Sequence, residues 1–240
     1  MNGMKRFLAC LLACVAALAC HAEEAKLALP SGETLVYSRF PSGGKELLLW
    51  FASERGVAPA EVRAAQKLAG RGTEVWQFDL AAAFFLPQTN SSMDGISPAD
   101  VRAILGEADR TGANVTIYAV NRAAVPVLRA LAGTRGKRAQ VLLMHPHFYS
   151  SVDALVGAEY LDFGNLKGVE ALVLQPRRSA ATPWVGEQLA ALGRDGATVR
   201  LRMLENVRES FWVRESATAF EIGEGERLAE LMTEWRKELK

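Results

Sequence analysis

The stretch Val115-Thr-Ile-Tyr-Ala-Val-Asn-Arg-Ala-Ala-Val-Pro-Val-Leu-Arg-Ala-Leu131 decides how the rest of the chain is read. Its first part, with Asn114, is a run of apolar and β-branched residues ending at Val120, the signature of a strand buried on both faces. A helix then starts near Arg122. The two are joined by almost nothing, so the chain must turn sharply at Asn121. A sharp strand-to-helix turn at the carboxyl end of a buried strand is a place where polar side chains can be presented to a ligand.

The pattern repeats on either side. Leu47–Phe51 is continuously apolar and belongs to a strand Glu46–Ala52; Thr73–Asp79, Ala139–His145 and Val169–Gln175 are further buried strands. Between them lie helices with recognisable starts. Pro59 opens one that ends at Gly70 or Gly72. Ser97-Pro98 caps another carrying Val101, Ile104, Leu105 and Ala108, and Thr182-Pro183 caps a third with Val185, Leu189 and Leu192 facing inward. In Thr198–Leu204, Val199, Leu201 and Met203 alternate with Arg200 and Arg202, which places that strand at a sheet edge. Lys26–Leu29 and Thr34–Phe40 are candidate strands, and Pro41-Ser42-Gly43-Gly44 predicts a hairpin between Thr34–Phe40 and Glu46–Ala52. The segment 146–166 breaks the rhythm and reads as a small cap-like insertion. The closing helix is amphipathic through Leu228, Leu231, Met232, Trp235 and Leu239. Strand–helix alternation with buried strands predicts an α/β fold, a mostly parallel sheet of about eight strands with helices on both faces.

At the N-terminus, Lys5-Arg6, the apolar run Phe7–Ala19 and the small residues Cys20-His21-Ala22 follow the order of a secretory signal peptide. The expected organisation is a signal in 1–22 and one domain in 23–240. Export implies a periplasmic or secreted protein. The alternative is a lipid anchor at Cys20, since Ala17-Leu18-Ala19-Cys20 faintly resembles a bacterial lipobox. Cleavage after Ala22 leaves 26 basic against 27 acidic side chains, a balance of −1 that argues against a general nucleic-acid binder. It also removes Cys10, Cys14 and Cys20, which are all the cysteines, and with them thiol catalysis and cysteine metal sites. No transmembrane helix is expected in the mature chain. Neither Gly-x-Gly-x-x-Gly after a strand nor a Walker loop occurs, so no cofactor is expected.

The order of elements resembles the α/β-hydrolase fold over essentially the whole mature chain. The resemblance implies a nucleophile in a Gly-x-Ser-x-Gly turn, and the matching positions read Ala119-Val120-Asn121-Arg122-Ala123. It places the acid at Ser179 and the histidine within 205–212, where there is none. The oxyanion region after Phe51 reads Ala52-Ser53-Glu54-Arg55-Gly56 instead of the usual His-Gly. Asn121 has no proton a histidine could remove to make a nucleophile; the expectation is that its side chain caps the following helix.

This points to an exported, catalytically degenerate member acting as a ligand-binding or assembly component of the bacterial envelope, with no metal. Ligand contacts are expected from Arg122, Arg177, Arg178 and Arg208, which suit an anionic or amphipathic ligand, and from Trp184 and Trp212; an envelope protein is the other candidate partner. A first alternative is a hydrolase of small esters or peptides with a relocated Ser–His site. It would draw on His145 or His147 with Ser53, Ser150 or Ser151, and on Asp79 as the acid. His145-Pro146-His147 supplies two metal ligands, but a zinc site needs a third and usually a fourth, and Asp79 is the only obvious acid near. A second alternative is an accessory to envelope thiol–disulfide or metal proteins.

Overall fold

A computed structural model of the chain describes residues 22–89, 91–134, 138–153 and 157–239. The signal in 1–22 and Cys20 therefore lie almost wholly outside the described residues. The main sheet has eight strands in the order β1-β2-β4-β3-β5-β6-β9-β10, where β1 is Glu23–Ala28, β2 Thr34–Phe40, β3 Glu46–Phe51, β4 Thr73–Phe78, β5 Asn114–Val120, β6 Ala139–Met144, β9 Val169–Pro176 and β10 Thr198–Leu204. From β4 to β10 the pairing is parallel throughout, and only β2 runs antiparallel to its neighbours β1 and β4.

The N-terminal hairpin is present, but its partners differ from the expectation. β2 pairs with β1 across the turn at Gly32, while β3 lies between β4 and β5. The physical reason is in the side chains. Leu47–Phe51 are fully buried on both faces, so β3 needs strands on either side and helices above and below. In β2 exposed and buried positions alternate at first, which suits a strand nearer the edge. β10 is the opposite edge, as its alternation requires.

Helices cover the sheet on both faces: α1 is Pro59–Ala69, α2 Leu80–Ala83, α3 Pro98–Arg110, α4 Ala124–Leu131, α5 Val185–Arg194, α6 Ala219–Glu226 and α7 Leu228–Glu238. One core sets Leu47, Leu49 and Phe51 of β3 against Ile104 of α3 and Val127 and Leu128 of α4. The other sets Leu48 and Trp50 against Ala65 and Leu68 of α1 and Met232 and Trp235 of α7. At the amino ends of the strands, Arg236 of α7 reaches Glu46 (2.7 Å), Thr73 (3.0 Å) and Thr116 (3.4 Å), pinning the closing helix to three strands. Thr182 does not cap a helix. Its hydroxyl donates to the Pro176 carbonyl (2.8 Å) and a 3₁₀ turn, Thr182–Trp184, leads into α5.

The segment 146–166 is more regular than its sequence implies. It holds a separate antiparallel pair, β7 (Tyr149–Asp153) and β8 (Gly157–Tyr160). Beneath it Phe148 and Phe163 are buried edge to face, with ring centroids 5.4 Å apart. No helix among the described residues is long and apolar enough to cross a membrane.

Candidate functional site

Strand order reverses between β3 and β5, so their carboxyl ends open the crevice in which open α/β sheets bind ligands. A cleft of about 810 Å³ lies there. Its floor is formed by Glu54, Asn121, His147 and Glu209, and its walls include Tyr149 and Tyr160 of the β7–β8 pair, Trp184 and Val213.

Asn121 sits in the left-handed region at φ 51°. Asparagine is one of the few residues with a side chain that tolerates this backbone, so the sharp turn keeps its geometry without glycine or serine. Its side chain does not cap the next helix. The 3₁₀ turn Asn121–Ala123 begins at Asn121 itself, no side chain caps it, and the Asn121 amide oxygen faces His145 Nδ1 at 3.4 Å. His145, just past β6, is also left-handed (φ 46°), as is Ser210 after β10 (φ 51°). Three strained residues other than glycine around one cleft are the kind of clustering seen where structure over-determines a functional geometry.

His145 is the hub. Its Nε2 lies 2.6 Å from Ser179 Oγ and 3.1 Å from a Glu209 carboxylate oxygen, and its Nδ1 lies 3.1 Å from His147 Nε2. Burial pushes both imidazoles down to about 4, with the neighbouring His145 ring a smaller influence at His147, so both are neutral at neutral pH. A neutral ring has one N–H. With that proton on Nε2, His145 donates toward Glu209 and its Nδ1 accepts from His147 Nε2–H; with it on Nδ1, His145 donates to the Asn121 amide oxygen or His147, and Nε2 accepts from the Ser179 hydroxyl. In either arrangement His147 Nδ1 is buried with no hydrogen-bond partner.

Two of these groups stand at positions the resemblance reserves for a triad, namely Ser179 for the acid and Glu209 in the segment of the missing histidine. Neither was separable in sequence from its neighbours as a partner of His145. The serines considered as nucleophiles lie elsewhere: Ser53 Oγ accepts from the Arg55 amide, while Ser150 and Ser151 bond Glu159. Asp79 caps α2 by accepting from the Ala82 amide at 2.8 Å, so it orients no histidine.

The amide that follows the turn at Asn121 faces a carboxylate. In α/β-hydrolases the amide following the nucleophile is one of the two that bind the oxyanion. Here that amide, Arg122 N–H, points at a carboxylate oxygen of buried Glu54 at 3.4 Å.

Three of the four arginines expected to hold a ligand are spent on the protein itself, and the fourth, Arg178, lies away from the cleft. Arg122 is buried and forks onto Asp94, also donating to the carbonyls of His147 (3.2 Å) and Tyr149 (2.7 Å). Arg208 pairs with fully buried Glu221, whose carboxyl it holds far below the usual range. Arg177 is exposed and bonds Glu205 through two nitrogens, and exposed Arg178 donates its backbone amide to Val207. None of the four lines the cleft; the arginines that do are Arg55 and Arg214, beside Glu54, Glu209 and Glu215. Trp184 is on the wall and half exposed, whereas Trp212 stacks edge to face on Phe211 and packs on the second core.

Comparison with solved structures agrees with this fold. The chain superposes on a putative dienelactone hydrolase from Klebsiella pneumoniae subsp. pneumoniae MGH 78578 with a TM-score of 0.60, at 15% identity over 85% of this chain and 95% of that one. The fold is that of the α/β-hydrolases. A Pyrobaculum calidifontis esterase gives 0.61 at 10% identity (92% and 88% of the chains), and esterase LipW from Mycobacterium marinum gives 0.56 at 14% (95% and 87%). No protein-family model and no curated protein sequence matches the chain.

Proposed function

We propose that this α/β-hydrolase-fold protein is an exported component of the bacterial envelope that binds a ligand in the cleft without serine acyl transfer. The observation that carries the reading is Glu54 at the amide after the turn. A tetrahedral intermediate needs that donor for its developing negative charge, and a carboxylate already facing it would repel the charge. Asn121 in the nucleophile's place points the same way. The ligand is amphipathic: aromatic and aliphatic walls at Tyr149, Tyr160, Trp184 and Val213 give it apolar contact, and charges of both signs at Arg55, Arg214, Glu54 and Glu215 give it polar ends. An anion alone would not suit a lining with three carboxylates and two guanidinium groups.

The separation of 2.6 Å between Ser179 Oγ and His145 Nε2 favours a second reading, a hydrolase with a relocated serine. Against it, the same nitrogen also faces a Glu209 carboxylate oxygen at 3.1 Å, and Ser179 Oγ already accepts from the Ala181 amide at 3.1 Å. A fluorophosphonate probe separates the two. The binding reading expects no labelling; labelling abolished by Ser179→Ala would replace it with the hydrolase.

A further inference from the structure

The cleft floor holds a grouping that acyl-transfer chemistry does not require. One ring nitrogen each of His145 and His147 and one carboxylate oxygen of Glu209 lie within 4.8 Å of one another. From these we infer a binding site for a divalent transition metal of the zinc type, held by His145, His147 and Glu209. Two imidazoles and one carboxylate form a ligand set that zinc accepts with a fourth position left open. The inference does not depend on the organic ligand proposed above, because the metal is held by the protein alone.

Several features of the floor fit. His147 has a buried nitrogen with no protein partner, so its ring is not fully committed to the hydrogen-bonded chain. The ligands come from two elements: the turn after β6 supplies His145 and His147, and the loop after β10 supplies Glu209. Both loops are fixed by left-handed residues, His145 and Ser210. His147 and Glu209 line the cleft, so the open position would face the space where a ligand enters. With His145 bound through Nε2, its Nδ1–H would donate to the Asn121 amide oxygen, now 3.4 Å away, which is the outer-shell bond that orients a metal-binding imidazole. Asn121 is then a positioning residue, and an asparagine at the turn serves that role where serine would not reach as far.

The nearby alternatives are weaker. Asp79 is committed to α2, and Glu54 to the Arg122 amide. Neither belongs to the grouping.

The test uses untagged protein purified from its native host, titrated with zinc chloride by isothermal calorimetry and with cobalt chloride by visible absorption. The expected result is one zinc per chain, a rise in Tm on zinc addition, and the intense d–d bands of four-coordinate cobalt. His147→Ala and Glu209→Gln should each abolish the cobalt bands, and Asn121→Ala should weaken zinc binding roughly 10-fold or more, as loss of an outer-shell partner does. Glu205→Gln, at an exposed carboxylate on the neighbouring turn, should leave binding unchanged. No zinc binding by the wild type at millimolar metal, octahedral cobalt spectra only, or equal binding by the wild type, His147→Ala and Glu209→Gln would each overturn the site. These wild-type measurements decide the matter even where a variant fails to fold. Fluorophosphonate labelling is read separately, so loss of the metal site leaves the binding reading intact.

Discussion

The floor and the rim of the cleft obey opposite rules. On the floor and directly beneath it, Glu54, Asn121, Arg122 and His145 are buried and their polar atoms face protein groups. On the rim, Trp184 and Val213 leave about half of their surface in water, at 51% and 48% exposure, with no apolar partner demanded by the core. A floor built this way fixes a backbone geometry; a rim built this way holds apolar surface ready for something else to cover. The fold is that of the α/β-hydrolases, and the polar side chains at the carboxyl ends of its strands face one another.

The largest effect should come from the floor. Arg122→Ala removes the guanidinium that joins Asp94, the His147 carbonyl and the Tyr149 carbonyl, leaving an unpaired carboxylate and two bare acceptors. Removing one partner of a buried pair costs about 3–5 kcal/mol, and the partial exposure of Asp94 puts the expectation near the lower end, about 3 kcal/mol. Urea unfolding measures it. A loss below about 1 kcal/mol would mean that the turn does not depend on this residue.

Next is a pH effect in α1, the helix that follows the Glu54 loop. Burial pushes the Glu61 carboxyl up to about 7, against a hydrogen bond from the Ala58 amide that lowers it. The folded value lies above the unfolded one of about 4.5, so the folded state holds this proton more tightly. Its contribution to stability is complete below pH 4.5 and is lost as pH rises through about 7. Between those limits the wild type should lose about 3 kcal/mol relative to Glu61→Gln, because each pH unit separating the folded and unfolded values is worth about 1.4 kcal/mol. Parallel urea curves of the two proteins at about pH 4.5 and about pH 8 would show it; a constant difference would rule it out.

The contrast between floor and rim also explains what could be read from the sequence. Continuous apolar runs such as Leu47–Phe51 and the alternation in Thr198–Leu204 report burial of a strand directly, so the sheet, its edge and the turn at Asn121 were legible. The β2–β3 pairing was not, because a turn-rich loop such as 41–44 serves any connection leaving a strand, and only the double burial of β3 excludes β2 from its side. The two histidines were legible as candidates by their place at a strand end. Their partners were not, since Ser179 and Glu209 lie 34 and 64 residues beyond His145 and look like any loop serine or glutamate. The arginines misled for a related reason. A guanidinium in a turn reads as available, yet Arg122 and Arg208 meet Asp94 and Glu221, residues that sequence spacing does not bring near them.

Asn121→Ser probes the turn with a smaller effect. Serine tolerates the left-handed backbone less well than asparagine, so stability should fall by about 1 kcal/mol. Fluorophosphonate labelling should still be absent. His145 Nδ1 is engaged by His147, its Nε2 by Glu209 and Ser179, and the Arg122 amide by Glu54, so a new hydroxyl finds neither base nor oxyanion donor. Groups that act as a catalytic unit recover little when one alone is restored. Labelling that appears at the new serine would show that the floor is less committed than its hydrogen bonds imply.

The smallest stability effect belongs to the rim. Trp184→Ala removes a side chain that is half in water and holds no place in either core, and substitutions away from buried features usually stay within about 0.5 kcal/mol. Its indole nonetheless forms part of the cleft wall, where a bound amphipathic ligand would cover it. The variant should therefore unfold with the wild type while losing the fluorescence change that accompanies ligand entry. Trp212, packed against Phe211 and the second core, is the internal control. Trp212→Ala should lower the unfolding midpoint but leave the ligand-dependent signal of Trp184 in place at temperatures where it remains folded. If Trp184→Ala destabilises as much as Trp212→Ala, the rim is core rather than binding surface, and the distinction between the two regions fails at its exposed end.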